Sequence, residues 1–151
     1  MDNERKQQFL DLIDNDIREF GFHVTYVLEE KDFTPFGYST GLYKNFGIPE
    51  VFVSGLPNGL TNTLITNYAK IFKENQLTYN QKVDTLIDRF LVYLIPVESI
   101  SLKEKVLASA RLYDGYDFES VQIIYPDLNG CFPEDKNYDY DMEIFGSIKN
   151  E

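Results

Sequence analysis

His23 is the only histidine of the chain, and its ordinary pKa suits an imidazole to general-base work near neutral pH. A Ser-His-Asp arrangement can be drawn from Ser39 or Ser54, His23 and Asp127, since geometry rather than chain order defines a triad. Nothing in the spacing forces it. The same imidazole with Glu50 and Asp127 would make a hard, mixed ligand set suited to manganese or iron rather than to structural zinc. No H-x-x-x-H, H-x-E or C-x-x-C pair is present, so no metal and no cofactor are expected. Cys131, the only cysteine, stands in a turn ringed by acids; they disfavour its thiolate and hence a nucleophilic role.

The backbone offers a second kind of chemistry. "FGYSTGLYKNFGIPEVFVSGL" (36–56) sets Gly37, Gly41, Gly47 and Gly55 around short β-forming runs, where glycine serves bulges, positive φ and close approach. Gly55 to Gly59 reads in addition as a strand, a turn and a helix start, so N–H groups at Gly55, Asn58 and Gly59 are candidates for holding an anion. The stretch lacks the Lys-Ser/Thr of a phosphate loop. Glu50, after Pro49, and Asp127, in "YPDLNG", read either as ligand groups or as acceptors for backbone N–H groups in turns.

Charge is uneven. The net charge is −11, and residues 114–151 hold ten acids against Lys136 and Lys149, a local net of −8. Such a pole repels phosphates and anionic lipid and attracts basic partners. No Lys/Arg cluster exists to release counterions, so neither nucleic acid nor a membrane is an expected partner. Tyr113, Tyr116, Tyr138 and Tyr140 lie among these acids in the manner of a binding surface. Asp135, Tyr138, Asp139, Tyr140, Asp141 and Glu143 are the candidate partner surface.

These residues need a scaffold, and 151 residues suit one domain with one core. A lone cysteine fits a reducing compartment. "MDNERKQQFL" has no apolar core, so no signal peptide or membrane anchor is expected, and the cytoplasm is the expected location. Phe9, Leu12, Ile13, Ile17 and Phe20 make one helical stripe stopped by Gly21. "FHVTYVL" (22–28) and "FGYSTGL" predict an antiparallel pair joined by the polar turn "EKDFTP".

"VFVSGL" predicts a third strand, and Leu60, Leu64, Ile65, Tyr68 and Phe72 the buried stripe of a second helix. "RFLVYLIPV" (89–97) reads as a central strand buried on both faces. Ser101 and Glu104 have capping-box spacing, predicting a third helix that buries Leu102, Val106, Leu107 and Ala110. "SVQIIY" (120–125) predicts the last strand, and residues 134–151 read as an acidic, loosely held tail. The class is α+β: a single domain, 1–151, with a mixed, mostly antiparallel sheet packed by about three helices.

"GFHVTYVLEE", "TPFGYSTGLYKNFGIPEVFVSGLPNGLTNTLITNYAKIF" and "VQIIYPDLNGCFPEDKNYD" together resemble the bacterial domain-of-unknown-function family 4262 over residues 21 to about 140. The resemblance is carried by Tyr38, Thr40, Gly41, Leu42, Pro49, Glu50, Gly55, Leu56, Pro126, Asp127, Gly130 and Pro133. It implies a bacterial or phage protein and no established function. Ser39 displaces the threonine that usually follows the tyrosine.

Two functions follow from these features. One is a non-enzymatic binding module, immunity- or inhibitor-like, that holds a basic protein on the acidic, tyrosine-rich pole. The other is a small-molecule binder or enzyme whose pocket gathers His23, Tyr38, Thr40, Glu50 and Asp127 at strand ends.

Overall fold

A computed structural model describes residues 3–28 and 34–148. Most of the turn predicted at "EKDFTP" and the last three residues of the acidic tail lie outside them. The elements in order are α1 (Asn3–Phe20), β1 (His23–Val27), β2 (Phe36–Thr40), α2 (Leu42–Phe46), β3 (Glu50–Ser54), α3 (Asn58–Phe72), β4 (Tyr93–Glu98), a 3₁₀ turn (Ser99–Leu102), α4 (Leu107–Tyr113) and β5 (Glu119–Ile124).

The strands form one sheet in the order β1-β2-β3-β5-β4. β1 pairs antiparallel with β2, β2 with β3 and β4 with β5, while β3 and β5 run parallel. The class is therefore α+β with a mixed, mostly antiparallel sheet, as predicted. Alternation along the strands sends Val51, Val53, Val121 and Ile123 to a core with Leu64, Ile65 and Tyr68 of α3. Phe36, Tyr38, Phe52, Ile95 and Ile124 go to a second core, which Val106, Phe118 and the chain from Met142 to Ile148 cover. Among the described residues, no helix is long and apolar enough to cross a membrane.

Four predicted elements differ. The run 89–97 yields β4, which lies at the sheet edge and not at its centre. Its apolar faces are buried on both sides, and its outer edge is partly closed by Asn80 N–H on Leu94 O (2.8 Å) and by a bridge between Val83 and Val92. Pro96 sits exposed in that strand, where the missing N–H does no harm. The predicted capping box is not used. Ser99 bonds to Phe118 O and Ser120 and nucleates a 3₁₀ turn, Glu104 takes φ 74°, and α4 starts only at Leu107. Leu107 is exposed rather than buried.

The stripe of α1 is only partly covered. Ile13 is buried, while Phe9, Leu12 and Phe20 are exposed. The tail is the fourth difference: residues 134–148 form a strap laid over the second face of the sheet. Phe145 packs edge-on to Phe52 with centroids 5.4 Å apart, and Gln122 holds the strap from both sides, donating to Glu143 O (2.6 Å) and accepting from Phe145 N (3.0 Å).

Candidate functional site

Glu50 opens β3 and is 3% exposed. The chain leaves β2 at Gly41, whose φ of 115° suits glycine alone and whose added Cβ would lie 2.6 Å from Gly21 O. That bend turns the first N–H groups of α2 toward the carboxylate. Oε2 accepts from Gly41 N (2.8 Å) and Tyr43 N (3.3 Å), and Oε1 from Leu42 N (3.2 Å) and the Ser39 hydroxyl (2.7 Å). The Tyr113 hydroxyl donates to Oε2 as well. Burial and the neighbouring Glu50 push the Tyr113 phenol well above its ordinary pKa, so it stays a donor. A buried carboxylate needs such compensation, and five donors supply it.

Tyr38 and Thr40 join this cluster. The Tyr38 hydroxyl accepts from Ala108 N (3.1 Å), and Thr40 Oγ1 meets Ser109 Oγ at 2.8 Å while Ser109 donates to Ser39 O (3.0 Å). The residues pin α4 to the sheet. The gap between Tyr38, Ser39, Glu50, Val106, Ser109 and Ser120 is too small for a water molecule, so the cluster holds structure together and admits no substrate as it stands.

The spacing Gly37-Tyr38-Ser39-Thr40-Gly41 is also that of a hydrolase nucleophile elbow, G-x-S-x-G, a further reason to weigh Ser39. The geometry does not follow the pattern. Ser39 lies within β2 and is fully buried, and its Oγ faces Glu50 and accepts from Val51 N (2.9 Å) instead of meeting an imidazole. Both glycines have packing reasons: a Cβ on Gly37 would lie 2.4 Å from Thr61 of α3, and Gly41 backs onto Gly21.

His23, Glu50 and Asp127 are not brought together. Nδ1 of His23 meets Asp16 Oδ2 of α1 at 2.7 Å. Glu50 lies beside Ser120 at the start of β5, whereas Asp127 follows the end of that strand. Ser120 to Ile124 alone spans roughly 13 Å. A shared pocket and the Ser-His-Asp triad are therefore both corrected: His23 and Glu50 stand at one end of the sheet, but Glu50 starts β3 while Asp127 follows the end of the parallel β5, so strand-end position alone does not imply proximity. Ser54 is occupied in turn by Glu143 N (3.0 Å). Among the described residues, no group of three His, Cys, Asp or Glu side chains could hold a metal ion.

Asp127 organises the other end. Oδ1 accepts from Asn129 N and Cys131 N (2.9 Å each), and Oδ2 from Asp139 N (3.0 Å). Burial pushes its pKa up, but the N–H groups of Cys131, Asp139, Asn129 and Gly130 outweigh that and hold it below the ordinary carboxylate value. The Cys131 thiol is pushed up by burial and by Asp127 and Asp135. At the candidate anion site, Gly55 N already donates to Pro35 O (2.7 Å). Gly59 borders an open groove of about 570 Å³ that Asp84 and Asp88 share with Arg89, and the two acids oppose an anion there.

The strap carries the candidate partner surface. Asp135, Asp139, Tyr140, Asp141 and Glu143 are exposed, and Tyr138 is half-buried with its hydroxyl on Tyr125 O (3.2 Å). Tyr113 and Tyr116 do not belong to it: the first bonds Glu50 and both stack near Phe118. Beside Tyr140 runs a groove of about 260 Å³ lined by Leu56, Leu60, Phe90, Tyr125 and Leu128. Sequence reasoning missed it, although Leu128 in the middle of a Pro-Asp-x-Asn-Gly turn is an apolar residue where turn chemistry asks for none.

The family model for DUF4262, a domain of unknown function, matches residues 16–139. This chain belongs to that family. No curated protein and no solved structure matches it.

Proposed function

We propose that this chain is a non-enzymatic binding module of a bacterial or phage cytoplasm, immunity- or inhibitor-like, that holds a basic protein against its acidic, tyrosine-bearing strap. The observation carrying this reading is that the strap is acidic outward and anchored inward: Asp139 N on Asp127, Glu143 N on Ser54 and Phe145 N on Gln122 fix its backbone. A surface ordered before contact loses less conformational freedom on binding. The rival reading, a small-molecule binder or enzyme around His23, Glu50 and Asp127, is not favoured, because Asp127 lies at the opposite end of the sheet from the other two and the polar atoms of all three are engaged within the fold.

The test is a partner captured from the source organism and then measured by stopped flow. Association should slow steeply with rising salt, and Asp139→Lys with Asp141→Lys should lower the on-rate about tenfold at low salt. A partner that associates equally fast with the reversed protein would refute the reading.

A further inference from the structure

We infer that the groove beside Tyr140 seats one apolar side chain of the partner, carried on a segment whose flanking residues are basic. The inference rests on the proposed binding role of the strap and names how that surface recognises its partner. Leu128 is 91% exposed at the tip of the Asp127 turn, and Tyr140, which lines the same groove, is 38% exposed. An apolar side chain so fully in water at a turn held by three hydrogen bonds to one carboxylate is displayed by the fold.

The groove's size decides what it takes. About 260 Å³ falls below the roughly 300–1,000 Å³ of small-molecule sites, yet it accommodates a single large side chain. Its walls are apolar at Leu56, Leu60, Phe90 and Leu128, so an aliphatic or aromatic group gains most from entering. The rim sets the flanks. Asp139 and Asp141 bracket Tyr140 on one side and are exposed, which selects lysine or arginine next to the anchor. Arg89 also lines the groove and disfavours a basic residue placed directly beside it, so the basic flanks belong next to the strap acids. Gly55 holds this geometry: a Cβ there would lie 2.8 Å from the Tyr125 hydroxyl and 3.2 Å from Asp141 O, at φ 86°, so only glycine lets the strap close on the groove wall.

Two capped peptides test this on the full chain by NMR titration: Lys-Lys-Phe-Lys-Lys and the same peptide with serine at its centre. The phenylalanine peptide should bind about tenfold more tightly, the order expected for burying one aromatic side chain. Its shifts should centre on Leu56, Leu128 and Tyr140. Leu128→Ser, at a position that packs against little, should remove that advantage and leave a salt-sensitive residue of binding equal to that of the serine peptide. Equal affinity of the two peptides, with shifts along the strap that vanish in salt, would overturn the groove while leaving the acidic surface in place. Tighter binding of the phenylalanine peptide with shifts at the exposed Phe9 and Leu12 of α1 would overturn it as well. No shift on the strap with either peptide at low salt would overturn both the inference and the reading beneath it.

Discussion

Glu50 and Asp127 solve one problem at opposite ends of the sheet, and they leave different surfaces behind. Each is a buried carboxylate held by three backbone N–H groups. Glu50 adds two hydroxyls, from Ser39 and Tyr113, and thereby joins β2, α2, β3 and α4 in a space closed to water. Asp127 adds none. It folds a turn and ties it to the strap, and the result is a displayed leucine, an exposed tyrosine and a row of acids. The same acceptor chemistry builds an interior joint where hydroxyls join the N–H groups and a presentation platform where N–H groups act alone.

Removing the interior joint should have the largest effect. Glu50→Ala leaves three N–H groups and two hydroxyls without their acceptor, and the expected loss exceeds about 3 kcal/mol. Urea unfolding should show it as a lower midpoint with an unchanged slope. A loss under about 1 kcal/mol would mean that water enters the joint and that the two ends are alike. Phe145→Ala breaks the platform from below, uncovering Phe52; for a half-buried ring about 2 kcal/mol is expected in the same assay. Wild-type stability in this variant would return the strap to a loose tail.

Much of this scaffold was legible. The stripe Leu64, Ile65, Tyr68 and Phe72 is the buried face of α3, and the β1–β2 pairing and β5 fall where their β-branched and aromatic runs predict them, because each of these patterns is local to its own element. The strap was not legible for the opposite reason. Met142, Ile144, Phe145 and Ile148 pack inward, but they follow no helical or strand period, and acids fill the gaps between them, so local composition reads as solvated chain. Glu50 and Asp127 stand out in the sequence as candidates for either a pocket or a turn, and the structure gives both carboxylates backbone N–H groups to hold. Their partners were beyond reach, since Tyr113 is 63 positions from Glu50 and backbone donors leave no mark on side-chain spacing.

Smaller changes sharpen the comparison. Tyr113→Phe removes one of five donors and should cost about 1–2 kcal/mol, a fraction of the Glu50→Ala loss; equal losses would make Tyr113 the main prop of the joint. Asp127 adds a pH signature. Its folded pKa lies below the model-compound value of 3.8, so its contribution is fully present above that value and fades as pH falls through the lower, folded one. The stability gap between the wild type and Asp127→Asn should therefore be constant at neutral pH and shrink in the acid range below about pH 4. A gap that stays constant down to pH 2 would show that the carboxylate's charge is not what holds the turn.

The smallest effect is expected where the function is proposed. Asp139 and Asp141 face solvent, and Asp139 contributes only its backbone N–H to the Asp127 turn, so reversing both to lysine touches no buried group. Each reversal adds two charges, taking the net charge from −11 to −7. Self-repulsion across the acidic pole falls, and added salt should stabilise the variant less than the wild type, because there is less repulsion to screen. The unfolding free energy should change by no more than about 0.5 kcal/mol. A loss above 1 kcal/mol would place these acids in the scaffold and leave the outer face of the strap with no freedom to serve a partner. An unchanged midpoint, beside the large loss from Glu50→Ala, would separate the acids that build this protein from the acids it presents.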